Sequence, residues 1–186
     1  LSTKSRGLTR QEILDATGIT DNGAFSVVLD ELEQCGFIRL YEPFGNARIA
    51  GDKRQKSATI YQLTDFYTLF YFNFVKNNRY QDEHFWTTSL HSPMHNTWCG
   101  LSFERLCLSH IRQIKHSLGI AGVQTLACSW RNATAQIDLV IDRKDDTVNI
   151  CEMKYAKEEF EITKDYEAKL QNKLTLFAEE TGTRKS

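Results

Sequence analysis

The stretch that decides the fold runs from Ala135 to Lys154 and reads AQIDLVIDRKDDTVNICEMK. Two apolar runs flank the polar turn at residues 143–146, and this pattern predicts an antiparallel β-hairpin. Ionisable residues interrupt both runs: Asp138 in the first, Glu152 and Lys154 in the second. Period-two alternation puts Glu152 and Lys154 on one face of the sheet, and the tight turn brings Asp138 close to Glu152.

These three side chains suggest a site for a divalent cation. Ionised groups within a half-buried strand cost several kcal/mol unless they are paired or bound to a metal. Asp138 and Glu152 could offset that cost by binding Mg²⁺, which takes one or two protein carboxylates besides waters and substrate phosphate. Lys154 could then orient or deprotonate an attacking water, or stabilise charge that develops on a phosphate. The alternative is a structural ion pair between Glu152 and Lys154, with Asp138 hydrogen-bonded nearby.

The elements around the hairpin predict a compact second domain. An amphipathic helix is expected over residues 102–116, with Arg105, Arg112 and Lys115 facing outward. The expected strands cover residues 123–130, 135–142 and 147–154, and a long polar helix closes the domain over 162–180. On that closing helix, one of Lys169, Gln171 and Lys173 could face the site and contact a phosphate, but an exposed helix face is the favoured place of all three.

The N-terminal segment reads as two helices joined by a turn. The run from Thr9 to Glu12 is a capping-box pattern, and Gly18 predicts the end of the first helix. Ile19 is expected to pack inward across the turn. A second helix from about Asp21 to Gly36 has apolar residues at helical spacing, namely Phe25, Val28, Leu29 and Leu32.

A predicted strand pair follows, with one strand beginning at Phe37 and the other at Ala58. Two helices followed by such a hairpin are the order of a winged helix-turn-helix. The second helix carries four carboxylates and no Lys or Arg, which opposes reading of a DNA groove. The better candidates for phosphate contact are therefore the basic residues of the hairpin tip, although a solvated loop is the alternative: Arg48, Lys53, Arg54 and Lys56.

The next helix, expected over residues 66–76, is rich in Phe and Tyr, so we expect it to be buried around most of its circumference, between two domains. Residues 77–98 read as a connecting segment. His91 and His95 have a metal-ligand spacing for a helix, but Pro93 lies between them and no third ligand is evident.

The order Gln-Ile-Asp, then Cys-Glu-Met-Lys on the next strand, resembles the PD-(D/E)XK nuclease superfamily, which has the restriction-endonuclease-like fold. The resemblance implies that Asp138 and Glu152 bind Mg²⁺ or Mn²⁺ and that Lys154 assists the attacking water. Glu104, within Gly-Leu-Ser-Phe-Glu, matches the helix Glu that often joins the metal site. The sequence departs from the family pattern at Ile137, where the superfamily often has Pro.

The wider order of motifs resembles the C-terminal half of the prokaryotic ATPases called archaeal-type, whose N-terminal half is an AAA-type P-loop module. This resemblance implies that the chain is a fragment, and that ATP would be bound by a domain upstream of Leu1. It also implies an α+β fold in which residues 1–76 form the winged helix-turn-helix and its trailing aromatic helix. The nuclease-like domain, a small mixed sheet flanked by helices, would cover residues 99–186.

Composition limits the function classes. The net charge is −1, which excludes a polybasic protein, so nucleic-acid contact must come from a local patch. No apolar run approaches the ~18–20 residues of a membrane helix, and the five scattered cysteines are typical of reduced thiols in a cytoplasmic protein. We expect a Mg²⁺-dependent DNA nuclease acting with its upstream ATPase domain. The alternatives are a catalytically silent DNA-binding or assembly module, which could form a homo-oligomer, and a less favoured winged-helix regulator.

Overall fold

The computed structural model describes residues 7–44, 59–76, 78, 82–90 and 92–186. Within these residues the chain is an α+β protein with seven α-helices, one π-helical turn and six strands. It divides into two units. The first comprises Leu1–Tyr41 and Gly51–Ser102, and the second comprises Glu42–Ala50 and Phe103–Ser186. No helix in the described part of the chain is both long and apolar enough to cross a bilayer.

The first unit begins with a short strand and two helices, and continues with an antiparallel strand pair. Its elements are β1 (Leu8–Thr9), α1 (Arg10–Thr17), α2 (Gly23–Gln34), β2 (Ile38–Pro43, of which Glu42 and Pro43 belong to the second unit) and β3 (Ile60–Leu63). β3 lies between β1 and β2 and is antiparallel to both. The predicted capping box of α1 is confirmed, since the Thr9 hydroxyl accepts from the Glu12 amide and the Glu12 carboxylate accepts from the Thr9 amide.

Both ends of α1 and the end of α2 lie where the sequence predicted them, but two residues that were predicted to be buried are exposed. Gly18 ends α1 with φ at 69°, in the left-handed region. Ile19 and Val28, predicted to face inward, are 49% and 48% exposed. The core is built on Phe25 and Leu29 of α2, joined by residues of α1, of the strands and of the following helix: Leu8, Ile13, Leu14, Ile38, Leu63 and Leu69.

The aromatic helix has one exposed and one buried face, so the prediction that it is buried around most of its circumference is wrong. It consists of α3 (Phe66–Phe70) and a π-helical turn (Tyr71–Val75). Tyr67 is 73% exposed, whereas Leu69 and Phe74 are buried. Edge-to-face contacts collect the inner rings into one cluster, which consists of Phe70, Phe74, Trp86 and Trp98.

Two helices follow in the segment read as a connection. They are α4 (Phe85–Thr88) and α5 (Pro93–Ser109), and α5 continues past the boundary of the units at Ser102. The single helix predicted over 102–116 is therefore wrong, since α5 ends at Ser109 and α6 (Ile111–Ser117) begins after His110. Arg105 is only 1% exposed rather than outward-facing. Its charge acts on neighbouring Glu104 and lowers the pKa of that carboxyl against the effect of burial.

The second unit contains an antiparallel sheet covered by a long helix. Its strands are β4 (Thr125–Arg131), β5 (Gln136–Arg143) and β6 (Val148–Cys151), and its closing helix is α7 (Lys164–Thr181). β5 lies between β4 and β6, antiparallel to both, and the Glu42–Pro43 end of β2 pairs with β4 in parallel, which makes the sheet mixed. Phe177 of α7 packs on the sheet in a core with Cys128, Trp130, Ile137 and Val140.

Candidate functional site

The register between strands β5 and β6 sets the position of the candidate site. Residues Leu139 to Ile141 of β5 are fully buried, so the strand is fixed within the core. Leu139 faces Cys151 across the antiparallel pair. The same register, continued by one residue, brings Asp138 opposite Glu152, and directly opposed residues of an antiparallel pair point to the same face.

The Asp138 side chain on β5 binds the backbone just after β6, the neighbouring strand. Its Oδ2 accepts a hydrogen bond of 2.8 Å from the backbone N–H of Met153. This amide is thereby turned towards a side chain, and β6 stops at Cys151 rather than at Lys154 as predicted. The bond fixes the direction of the Asp138 carboxylate relative to the segment that carries Glu152 and Lys154.

Glu152 is held between two lysines. Lys154 Nζ lies 3.0 Å from its Oε1, and Lys173 Nζ lies 2.8 Å from its Oε2. The Glu152 side chain is 14% exposed, so these pairs are shielded more than surface ion pairs are. Lys173 projects from α7 and was expected on an exposed helix face; that expectation is wrong.

Burial and neighbouring charge disfavour the ionisation of two carboxyl groups of the site, Asp138 and Glu104. Burial raises the pKa of Asp138, and the charge of Glu152 adds to this, while the Met153 amide and the two lysines oppose it. Burial also raises the pKa of Glu104 on α5, and the charges of Asp138 and Glu152 raise it further. Three carboxylates from three elements thus lie within electrostatic reach, although Glu104 makes no direct contact described here with the other two.

Lys154 is suited to remain charged. Burial lowers its pKa, but the hydrogen bond to Glu152 and the charges of Glu152, Tyr166 and Asp138 outweigh burial, so its pKa is raised. A protonated ammonium donates hydrogen bonds and stabilises negative charge, but it cannot take a proton from water. Of the roles considered for Lys154, orienting a water or neutralising a phosphate therefore fits better than deprotonation.

The donor set suits a hard divalent cation. Asp138, Glu152 and Glu104 offer carboxylate oxygens, the ligands preferred by Mg²⁺, and burial raises the pKa of both Asp138 and Glu104. Among the residues that the structure describes, no three His, Cys, Asp or Glu side chains converge as a preformed metal cage. Since Mg²⁺ is commonly held by only one or two protein carboxylates, the pair Asp138 and Glu152 suffices.

Most of the other residues predicted to bind ligands are outside the described part of the chain. Arg48, Lys53, Arg54 and Lys56 fall outside the described residues, as does His91. His95 is described, on α5, where its ring lies against Trp86 and 3.7 Å from the Cys99 sulfur.

A cavity of about 400 Å³ adjoins the charged cluster, and sequence reasoning missed it. Glu152 and Lys154 line it together with aromatic and aliphatic side chains, among them Phe103, Phe160, Ile162 and Tyr166. The signal in the sequence was Phe160 and Ile162, two large apolar residues within the otherwise charged run KEEFEITK at 157–164.

Comparison with known proteins gives one family. The family of archaeal and bacterial proteins of unknown function designated DUF234 matches residues 70–169, more than half of the chain. The matched range includes Glu104, Asp138, Glu152 and Lys154. No curated protein and no solved structure gives a significant match. The chain belongs to the DUF234 family of archaeal and bacterial proteins.

Proposed function

We propose that the second unit is a restriction-endonuclease-like domain that hydrolyses phosphodiester bonds in DNA with the help of Mg²⁺ or Mn²⁺. The observation that carries the proposal is that Asp138 of β5 lies opposite Glu152, the residue directly after β6, with Lys154 3.0 Å from Glu152. This is the order and chemistry of the Asp and Glu-x-Lys signature. The second copy of Glu-x-Lys, Glu167 to Lys169, lies on helix α7 rather than beside a strand.

Each residue has a role that follows from its environment. Asp138 and Glu152 would hold the cation and Glu104 would support them, and the positive charge would offset the burial and the repulsion that raise the pKa of Asp138 and Glu104. A bound Mg²⁺ would supply Lewis acidity and a more acidic water. The Lys154 ammonium donates to the attacking water or to a phosphate oxygen and offsets the charge of the transition state. Lys173 orients Glu152 from α7.

The first unit would serve this domain as a winged helix-turn-helix. The order α1, α2, β2, β3 supports this assignment. Since α2 carries several carboxylates and no basic residue, we propose that phosphate contact comes from the basic residues between β2 and β3. An AAA-type ATPase domain upstream would bind ATP, and the whole protein would act in the cytoplasm.

Cleavage assays test the proposal directly. Plasmid and single-stranded DNA are incubated with the chain in Mg²⁺, Mn²⁺ or EDTA. We expect metal-dependent cleavage that falls about 100-fold or more in Asp138→Ala and in Lys154→Ala. Glu167→Ala and Lys169→Ala remove the same residue types from the second Glu-x-Lys and should cleave like the wild type. Cleavage that survives Asp138→Ala and Lys154→Ala would assign the activity to a contaminant and refute the proposal.

One observation favours a second candidate, a silent DNA-binding or assembly module. Both carboxylate oxygens of Glu152 are already paired with lysines, so its charge is compensated without a bound cation. In that case no cleavage is expected under any condition, while DNA binding remains and weakens with salt. Replacing Arg48, Lys53 and Arg54 by Ala should then reduce the slope of log K against log salt by about three.

A further inference from the structure

The cavity beside the charged cluster is lined by two kinds of side chain. Lys154 and Glu152 contribute charged groups, and Phe103, Phe160 and Tyr166 contribute aromatic rings. Its volume of about 400 Å³ is within the range of small-ligand pockets. We name it the Phe160 pocket. A ligand that fills it must carry a flat apolar group next to an anion.

The rings of the Phe160 pocket are fixed by contacts among themselves. Phe160 meets Tyr166 edge to face at 5.3 Å between centroids, and the Lys154 ammonium lies 5.9 Å from the Tyr166 ring. The Tyr166 hydroxyl is buried, and Lys154 is the polar group that interacts with it most closely. A polar ligand edge would give this hydroxyl a well-aligned hydrogen bond, which is favourable for a buried group.

The mouth of the pocket exposes apolar surface that the fold does not use. Phe160 is 46% exposed and Ile162 is 63% exposed, in the irregular segment between β6 and α7. Glu158, Glu159 and Glu161 of the same segment are exposed as well. Because these carboxylates repel phosphates, a polyanion would approach near Lys154 and would not run along the segment.

We propose that the Phe160 pocket receives one unstacked nucleobase of the strand whose phosphate contacts Lys154. A nucleotide is the ligand that joins a flat π-face, polar edges and an adjacent anion, and bases stack on aromatic side chains whatever their sequence. A base within a stacked duplex cannot enter a pocket, so the substrate is single-stranded or locally melted DNA. This inference rests on the proposed function, which places a phosphate at Lys154.

Base-dependent binding tests the pocket. A fluorescently labelled single-stranded oligonucleotide containing 2-aminopurine is titrated with the whole chain in EDTA, and a duplex of the same sequence serves as the comparison. We expect the single strand to bind more tightly and the 2-aminopurine fluorescence to be quenched by stacking. Phe160→Ala should weaken single-strand binding about tenfold, abolish most of the quenching and leave duplex binding unchanged.

A matched control separates the pocket from general aromatic exposure. Phe37 of the first unit is 42% exposed against 46% for Phe160, so Phe37→Ala removes a ring of similar exposure without touching the pocket. It should bind and quench like the wild type. Tyr166→Phe keeps the ring, so it should retain the quenching but bind more weakly by about fivefold through the lost hydroxyl.

The outcomes distinguish the two proposals because quenching is read in EDTA and cleavage in Mg²⁺. If the wild type cleaves DNA but Phe160→Ala changes neither affinity nor quenching, the pocket assignment is overturned and the nuclease proposal stands. If quenching depends on Phe160 but no metal-dependent cleavage occurs, the nuclease proposal fails and the pocket stands as a base-binding site. Equal binding of duplex and single strand, without quenching, would also refute the pocket.

Discussion

At the scale of single residues, Asp138 carries a conflict between stability and function. Its pKa is raised by burial and by Glu152, so the folded state binds more protons than the unfolded state between the two pKa values. The free energy of unfolding therefore decreases as pH rises through that window, and the loss persists at neutral pH. A bound cation would remove this penalty.

Replacing Asp138 by Asn tests this conflict. The amide oxygen still accepts from the Met153 N–H but carries no charge. In EDTA at neutral pH we expect Asp138→Asn to raise the free energy of unfolding by on the order of 0.5–2 kcal/mol, the usual gain when a strained functional group is neutralised. Denaturant unfolding at acidic and neutral pH measures it, and the gain should shrink at acidic pH, where the wild-type carboxyl is also neutral.

Asp145 provides the opposite case as a control. Arg143 donates to it and lowers its pKa, so its charge is favoured in the folded state. Asp145→Asn should not stabilise the protein at neutral pH. Equal stabilisation by Asp138→Asn and Asp145→Asn, or destabilisation by Asp138→Asn, would contradict the electrostatic picture of the site.

The cysteines give a second prediction at this scale. Cys128 is 1% exposed and burial raises its pKa to about 12, whereas Cys35 is exposed. In a native titration with a thiol reagent at mildly alkaline pH, Cys35 should react fast and Cys128 only after unfolding, because the thiolate is the reactive form. Cys35→Ser should remove a fast-reacting thiol. Rapid modification of Cys128 in the folded chain would be inconsistent with the core described above.

At the scale of elements, substitutions at two glycines distinguish the cost of backbone strain from the cost of a steric clash. Gly7 before β1 and Gly18 after α1 have φ values of 81° and 69°, so both favour glycine. A Cβ on Gly7 would lie 2.7 Å from Ile60 Cγ2 and from the Tyr61 carbonyl oxygen, whereas a Cβ on Gly18 meets nothing within 4 Å. Gly18→Ala should cost about 1–2 kcal/mol through strain alone.

Gly7→Ala should cost roughly 1–3 kcal/mol more than Gly18→Ala, because overpacking adds to the strain. Thermal or denaturant unfolding of both variants measures the difference. If the two variants are equally stable, β1 does not pack on β3 as described.

Local signals in the sequence predicted local structure well. The Thr9–Glu12 capping box and the Gly18 stop are confirmed, because the residues that make these bonds are neighbours in the chain. The exposure of Ile19 and Val28 could not be predicted, because helical spacing tells which residues share a face and not which face another element covers. The early end of β6 depends on Asp138, a residue 15 positions from Met153.

Only the part of the site formed by residues close in the chain could be predicted from the sequence. The register of a short hairpin follows from its turn, so the proximity of Asp138 and Glu152 could be inferred from the sequence. Lys173 could not, since its contact with Glu152 spans 21 residues and depends on how α7 lies on the sheet. The Phe160 pocket likewise requires α5, α7 and the segment between β6 and α7 in their folded places.

At the scale of the whole molecule, the chemistry is concentrated in the second unit. The net charge of −1 gives no general attraction to nucleic acid, so the proposed binding would depend on the basic residues near the site and between β2 and β3 in the sequence. The DUF234 match covers the acidic cluster and its lysine. The central claim is therefore that Asp138 and Glu152, supported by Glu104, hold a divalent cation.

Titration of the chain with Mn²⁺, followed by electron paramagnetic resonance of the free ion, tests that claim most directly. We predict a single strong site in the wild type that is lost in Asp138→Ala and kept in Glu167→Ala, whose carboxylate lies on α7 outside the cluster. Saturation at 100 times the Kd should also stabilise the wild type by about 2.7 kcal/mol. Absence of a site in the wild type, or a site that persists unchanged in Asp138→Ala, would contradict the account.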